Sequence, residues 1–433
     1  MIIYALRHMN QRLEAAAHGR FFRDVGMVSF VRLSGGLLLF ISQIFLARWM
    51  STEAFGIYSF AWSWVAVLGS FAGLGLAATS VRFLASYHTL GDHDHMRGLV
   101  RHAWRSTISV SLLIALASWL AFELALPNSP YLPALRIAVL AVPVMAVLNI
   151  DAAFARGMRW MGIASLAEQI GRPALLLLLG LVLVEVFNIH APVAFVVACL
   201  LAYFAVTCAQ HVVVHRRLGK ALGAGAIQQD IGNWRQVSTM MLLLNGAQML
   251  RINGDPILVG ALLGPRDVGI YIAAVRTATL VSFVLTIMSV VAQPNLSAIH
   301  ARKDDQALTE FFATVRRWTF LGTLGSGIVL CLLGELILAQ FGRDYIAAYP
   351  ALLILLAGHV VAAAFGPVTS LLIMSDRQRT AALILGVATV LNALMTFFLA
   401  KPWGVNGAAF ASGVSLIFSQ LALTTVLYRK KTG

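Results

Sequence analysis

The chain has 433 residues; 59% are hydrophobic, 12% are charged, and the mean hydropathy is +0.82. A soluble domain carries about twice that share of charge. The apolar signal comes as long continuous runs rather than alternation, so a soluble protein and a β-barrel are both excluded. The net charge of +14 invites a polyanion such as nucleic acid, but its placement along the chain argues against one.

Apolar runs recur from end to end at about the 20-residue length a helix needs to cross a bilayer. They predict an all-α integral membrane protein with spans near 26–49, 55–79, 107–126, 133–155, 161–186, 191–213, 236–262, 268–293, 318–341, 350–373, 379–400 and 405–427. The leading segment MIIYALRHMNQRLEAAAHGR is basic and amphipathic, without the apolar core and cleavage site of a signal peptide. No stretch between the spans is long enough for a soluble domain. Cys199, Cys208 and Cys331 fall inside spans as small apolar fillers, with no disulfide or zinc spacing.

With the N-terminus inside, 23 lysines and arginines fall on the cytoplasmic side, and the opposite loops hold Arg266, Arg343 and Lys401. This asymmetry predicts that both termini are cytoplasmic. It assigns the basic charge to orientation and to anionic lipid headgroups.

The segment FGIYSFAW (55–62) returns as VGIYIAAV (268–275), each after a short outer loop and each followed by a span that ends in a basic amphipathic stretch. Gly56 and Gly269 are 213 residues apart, a distance that holds six spans, so the two halves share one orientation. Two parallel six-helix bundles are expected, residues 1–214 and 236–433, joined by a basic cytoplasmic linker at 215–235. A site between the bundles follows from that symmetry.

Six arginines remain inside spans: Arg32, Arg48, Arg136, Arg172, Arg251 and Arg276. An ionised side chain at mid-membrane costs about 2.5–3.5 kcal/mol on insertion scales, so each must face water, snorkel or pair. Arg48 and Arg136 lie near outer ends and can snorkel. Arg172 stands one turn after Glu168, which suits a structural ion pair. In the seventh span Asn245, Gln248, Arg251 and Asp255 recur at spacings of three and four and form one polar stripe. Arg32, Gly36 and Gln43 repeat the pattern in the first span. Gly254 and Pro256 predict a break beside Asp255, because proline cannot donate to the carbonyl of Ile252. The alternative is an Arg251–Asp255 pair that only stabilises a kink.

Arg276 has no acidic residue within one turn. With Arg32 and Arg251 it predicts a net positive cavity suited to a phosphate or pyrophosphate, because a guanidinium offers a planar fork of donors. The predicted substrate-binding set is therefore Arg32, Gln43, Asn245, Gln248, Arg251 and Arg276. Asp255, Glu168 and Asp151 are candidates for ion coupling. Asp151, about one turn from the cytoplasmic end, is equally placed to pair with Arg156. Tyr58 and Trp62 read as interfacial belt anchors. The run HTLGDHDH (88–95) reads as a solvated turn before an amphipathic helix rather than a metal site. LGKALG (218–223) lacks the spacing of a nucleotide-binding loop. No nucleophile–base arrangement, catalytic residue, metal site or cofactor is read, and the chain is not expected to be an enzyme.

The hairpins RLSGGLLLFISQIFLARWMSTEAFGIYSF and INGDPILVGALLGPRDVGIY resemble those of the multidrug/oligosaccharidyl-lipid/polysaccharide exporter superfamily, in its branch of bacterial lipid-linked oligosaccharide flippases. The resemblance covers essentially the whole chain. It implies a V-shaped pair of six-helix bundles around a central cationic cavity, with Arg32, Arg251 and Arg276 as the matching positions. It implies alternating access in the bacterial inner membrane, carrying a polyprenyl-pyrophosphate oligosaccharide of O-antigen or exopolysaccharide to the periplasmic leaflet. Coupling would come from H+, Na+ or the membrane potential. The implied partners are the lipid-linked oligosaccharide, membrane lipids, and polysaccharide polymerase and chain-length machinery. A cation-coupled drug antiporter of the same fold would favour carboxylates over unpaired arginines. A membrane polymerase or ligase would need larger outer loops.

Overall fold

The computed structural model describes residues 34–301, 305–366, 368, 372 and 378–428, with the backbone alone over 284–301 and 305–309 and at 378 and 428. Helices make up nearly all of it, and no strand occurs among the described residues. In chain order they are α1 (Ser34–Trp49), α2 (Thr52–Ala72), α3 (Leu76–Leu90), α4 (His93–Ala125), α5 (Leu132–Ala138), α6 (Ala141–Gly157), α7 (Met161–Leu166), α8 (Arg172–Glu185), α9 (Pro192–Leu222), α10 (Ile231–Leu262), α11 (Pro265–Ala301), α12 (Asp305–Phe341), α13 (Tyr349–Ala363) and α14 (Gln378–Tyr428).

Eight of the described helical stretches are long and apolar enough to cross a membrane. The stretch at Arg379–Leu427 covers two of the expected spans, because Gly404 turns its backbone out of helical geometry beside Pro402. The other expected spans fall on α1, α10 and α11. The chain is an all-α, multi-pass membrane protein.

The expected second span is shorter than the sequence pattern indicates. α2 ends at Ala72, and Leu74 and Gly75 turn with positive φ before α3 begins. A Cβ at Gly75 would lie 2.2 Å from the Ser238 carbonyl oxygen, so glycine lets this turn press onto the backbone of α10. The 88–95 run is the expected turn: Gly91 is left-handed, and Asp92 caps α4 through the amide of His95 at 3.1 Å. Of the expected linker, residues 215–222 extend α9 and 231–235 open α10, leaving 223–230 as the connection. It is tied down by Arg97, which donates to the carbonyls of Leu222 and Ala226, and by the Gln228 amide on the Asp94 carbonyl.

Helices α3, α4, α6 and α9 pack on one another, as do α10, α13 and α14, with α11 and α12 against α13. α2 joins the two groups by packing on α6, α10 and α11. One end of the helices carries the 88–95 turn and the 223–230 connection and is called here the basic end. At the opposite, far end one continuous apolar core runs from Leu46 and Phe55 through Tyr271 and Val259 to Phe341 and Leu356. At the basic end the core, among the described residues, divides. Leu84, Met96, Phe154 and Trp234 form one cluster, and Phe312, Val315, Ala381 and Leu423 another.

The far end is closed by close backbone contact. A Cβ on Gly56 would lie 1.8 Å from the Pro265 carbonyl oxygen, and one on Gly269 would lie 2.4 Å from that of Thr52. Small residues let spanning helices approach this closely. Arg48 donates to the backbone and side chain of Gln340, Thr52 to Asp344 at 3.2 Å, and Tyr131 to the Gly260 carbonyl at 3.1 Å. Arg136 binds Glu123 through two donors at 2.5 and 2.7 Å. Arg48 and Arg136 are both exposed near this end and find polar partners there.

Candidate substrate cavity

Between the two groups of helices, on the basic side of the Gly56–Gly269 crossing, lies a cavity of about 190 Å³. α1 contributes Leu39 and Gln43, and α2 contributes Tyr58, Ser59, Trp62 and Ser63. Arg172 comes from α8, Tyr203 from α9, Asn253 from α10, and Ile272 and Arg276 from α11. Ser59 and Ile272, like Ser63 and Arg276, are equivalent positions of the internal repeat, so the same face of α2 and of α11 looks into one space. The first copy presents serine where the second presents arginine.

Arg172 and Arg276 approach from opposite halves, near enough to repel one another. The Nε atoms of both are buried without a hydrogen-bond partner among the described residues, as are Nε1 of Trp62 and Oγ of Ser59. Among the described residues no carboxylate lines this cavity. Such a set of unsatisfied donors is costly unless something accepts from it.

Arg172 is placed by a local irregularity. Residues Ala167–Gly171 form a π-helical turn, and Pro173 follows as the second residue of α8. Proline supplies no amide to the carbonyl of Gln169, and a π-turn changes the phase of all that comes after it. No ion pair joins Glu168 to Arg172 among the described residues, which corrects the pairing expected from their spacing. Arg172 instead sits over the ring of Tyr203, 5.0 Å from its centroid, a cation–π contact. Tyr203 stacks on Trp62 at 5.2 Å, and Trp62 meets Tyr58 at 6.2 Å. Tyr58 and Trp62 are therefore a wall of the cavity rather than belt anchors. A second cavity of about 260 Å³ shares Leu39 and Arg172 with the first and continues toward the basic end past Glu168 and Gln169.

Of the expected binding set, Gln43 and Arg276 line the main cavity. Arg32 lies outside the described residues. Asn245, Gln248 and Arg251 do not line this cavity; Gln248 is exposed, and Arg251 stays within electrostatic range of Asp255 and of His359 on α13. Asn253, on a different face of α10, lines it in their place. The break expected at Gly254 and Pro256 is absent, because α10 continues as a helix through both. Neighbouring helices can hold such a turn where proline leaves a bond unmade.

Asp255 is held by three side chains of the second half. Tyr271 donates at 3.0 Å, Asn392 at 2.6 Å, and Ser412 donates to the same oxygen as Tyr271. It forms no ion pair with Arg251 among the described residues. Tyr271 belongs to the second GIY segment; its counterpart Tyr58 faces the cavity instead. Asp151 lies elsewhere, on α6, where it meets His211 of α9 at 2.8 Å.

Comparison with known proteins agrees with this architecture. Residues 21–300 match the family described as polysaccharide biosynthesis protein. The fold is similar to an inward-facing multidrug resistance transporter of the multidrug and toxin extrusion (MATE) family, at a TM-score of 0.74 and 13% identity, covering 93% of this chain and 98% of that one. It is also similar to the lipid II flippase MurJ in an inward closed conformation, at 0.71 and 12%, covering 93% and 87%. A Pyrococcus furiosus transporter of the same superfamily, described as having a binding pocket of reversed polarity, matches at 0.68 and 12%, covering 94% and 95%. None of the curated proteins compared with the chain matches it. The family match spans well over half of the sequence and both GIY hairpins, and the chain belongs to the polysaccharide biosynthesis protein family, within the exporter superfamily its hairpins resemble.

Proposed function

We propose that the protein is a flippase that carries a polyprenyl-pyrophosphate-linked oligosaccharide from the cytoplasmic to the periplasmic leaflet of a bacterial inner membrane. The observation that carries this reading is the pair Arg172 and Arg276. Two guanidiniums from opposite halves face one cavity with unsatisfied donors, and among the described residues no carboxylate lines it; of the two, Glu168 of the adjoining cavity is within electrostatic range of Arg172 alone. A diphosphate offers acceptor oxygens to both forks at once. The stacked Trp62 and Tyr203 give the first sugars a flat apolar face.

Alternating access would rock the halves 1–214 and 236–433 about the 215–235 connection, with both termini cytoplasmic. This reading takes the arrangement as one open to cargo from the basic, cytoplasmic end, supported by a core that among the described residues is shared at the far end and divided at the basic end. Asp255 is the first candidate to couple this motion to H+ or Na+. It is a buried carboxylate bonded to three side chains of the second half, and Tyr271 links it to the α11 helix that carries Arg276. Glu168, in the adjoining cavity, is the second. Polymerase and chain-length machinery would take over the product. The arginine pair disfavours a drug antiporter, which needs negative charge for organic cations.

The test is reconstitution into vesicles with a fluorescent oligosaccharide on polyprenyl pyrophosphate. Protein-dependent transfer between leaflets is expected for this lipid and not for the same sugar on an uncharged polyprenol. Equal rates for both, or none for either, would remove the reading.

A further inference from the structure

Away from the cavity, near the basic end of the first half, α6 and α9 bring together a side-chain group that the transport scheme does not use. His211 and His215 stand one turn apart on α9, so both imidazoles project from one face, their centroids 4.0 Å apart. Asp151 of α6 faces them with a side chain fully shielded from solvent. One carboxylate oxygen meets Nδ1 of His211 at 2.8 Å; the other lies 3.7 Å from Nδ1 of His215.

That second approach is too long for a hydrogen bond. Oδ1 of Asp151 and Nδ1 of His215 are each buried with no partner among the described residues. An unbonded carboxylate oxygen and an unbonded imidazole nitrogen at this separation are a pair that one shared cation can bridge. One donor atom from each of the three residues lies within 4.8 Å of the others. Two bonds of about 2.0–2.2 Å to one shared ion span 3.7 Å at a bent angle.

We propose that Asp151, His211 and His215 form a transition-metal site, occupied by zinc, with its fourth position open to water. Two imidazoles and one carboxylate are a donor set for zinc and its neighbours; calcium and magnesium prefer oxygen alone. The two histidines are about one-third exposed, which gives the ion an entry path and leaves room for a solvent ligand. Trp104 flanks both imidazoles at 5.7 and 6.1 Å, and Phe154 closes the other side of His215 at 6.4 Å, so the rings are already held. The ion would clip α6 to α9 while the cavity remains free.

The full-length protein, stripped by chelator and desalted, is titrated with cobalt(II), whose visible absorption reports tetrahedral coordination. One equivalent should bind with such a band, and zinc should displace it. His211→Gln, His215→Gln and Asp151→Asn should each weaken cobalt binding at least tenfold, and zinc should raise the melting temperature of the parent protein alone. Absence of the band, or its survival in these variants, overturns the site. X-ray absorption at the zinc edge decides on the parent protein even where a variant fails to fold. Two imidazoles and a carboxylate at about 2.0–2.2 Å are expected, and sulfur at about 2.3 Å, from the exposed Cys208 or Cys331, would overturn the assignment.

Discussion

Gly56 and Gly269 meet as reciprocal partners: each faces the carbonyl four residues before the other, Pro265 for Gly56 and Thr52 for Gly269. The contact is the internal repeat made visible, since the two GIY segments that match in sequence close the far end against each other. A methyl group has no room on either side. Gly56→Ala should cost about 1–3 kcal/mol as an overpacked contact and hold the far end ajar. Spin labels on either side of the crossing should report a longer and broader distance than in the parent protein. An unchanged distance and melting temperature would show that this crossing is not the gate.

Arg172 and Arg276 should share the load of the anionic headgroup. A hydrogen bond to a charged group contributes about 1.5–3 kcal/mol, so Arg172→Ala or Arg276→Ala should weaken binding of a polyprenyl pyrophosphate by roughly 10- to 150-fold. Lysine at either position should restore only part of it, because an ammonium cannot present a planar fork. The affinity for an uncharged polyprenol glycoside, measured by thermal shift, should stay unchanged in all four variants.

Asp255 should matter for coupling more than for folding. Asp255→Asn keeps a polar group among Tyr271, Asn392 and Ser412 but removes the charge. It should fold, yet lose any dependence of transfer on an imposed proton or sodium gradient. Asp255→Ala leaves three donors without their acceptor and should lower stability by about 1–3 kcal/mol. Persistence of gradient dependence in Asp255→Asn would move the coupling role to Glu168.

Asp92 offers a test outside the spans. The backbone amide of His95, and then its imidazole, hold the Asp92 carboxyl below its usual value. A depressed folded value means that the charge stabilises above the unfolded value, about 3.9, and that this contribution fades as pH falls through the lower folded value. Asp92→Asn should therefore melt below the parent at neutral pH, and the difference should close under strongly acid conditions. A constant difference across the range would show that the cap acts without its charge.

Much of this molecule is legible in the amino-acid order because a bilayer imposes simple rules. Apolar length marks the spans, the GIY segments mark the repeat, and Arg276, alone in an apolar run, marks the cavity. The misreadings share one cause: the spacing of two residues does not encode the contacts that decide where each side chain goes. Glu168 and Arg172 have ideal spacing for a pair, but the π-turn and Pro173 redirect the arginine to Tyr203. Arg251 and Asp255 likewise have the spacing of a pair, yet Asp255 takes partners from α11 and α14. Tyr58 and Trp62 look like belt residues until α9 brings Tyr203 against them. Pro256 breaks an isolated helix but not one packed on its neighbours. His211 and His215 did carry a signal, the HVVVH run inside an apolar helix; Asp151, the third member, lies sixty residues earlier and no local spacing joins it to them.

The central claim is that the guanidiniums of Arg172 and Arg276 clasp the phosphates of the cargo between the halves. A density map of the protein with a polyprenyl-pyrophosphate oligosaccharide bound tests it most directly. The account predicts diphosphate density within hydrogen-bond reach of both arginines, with the first sugar against Trp62 and Tyr203. A headgroup resting elsewhere, with both side chains as they stand without it, would contradict the account.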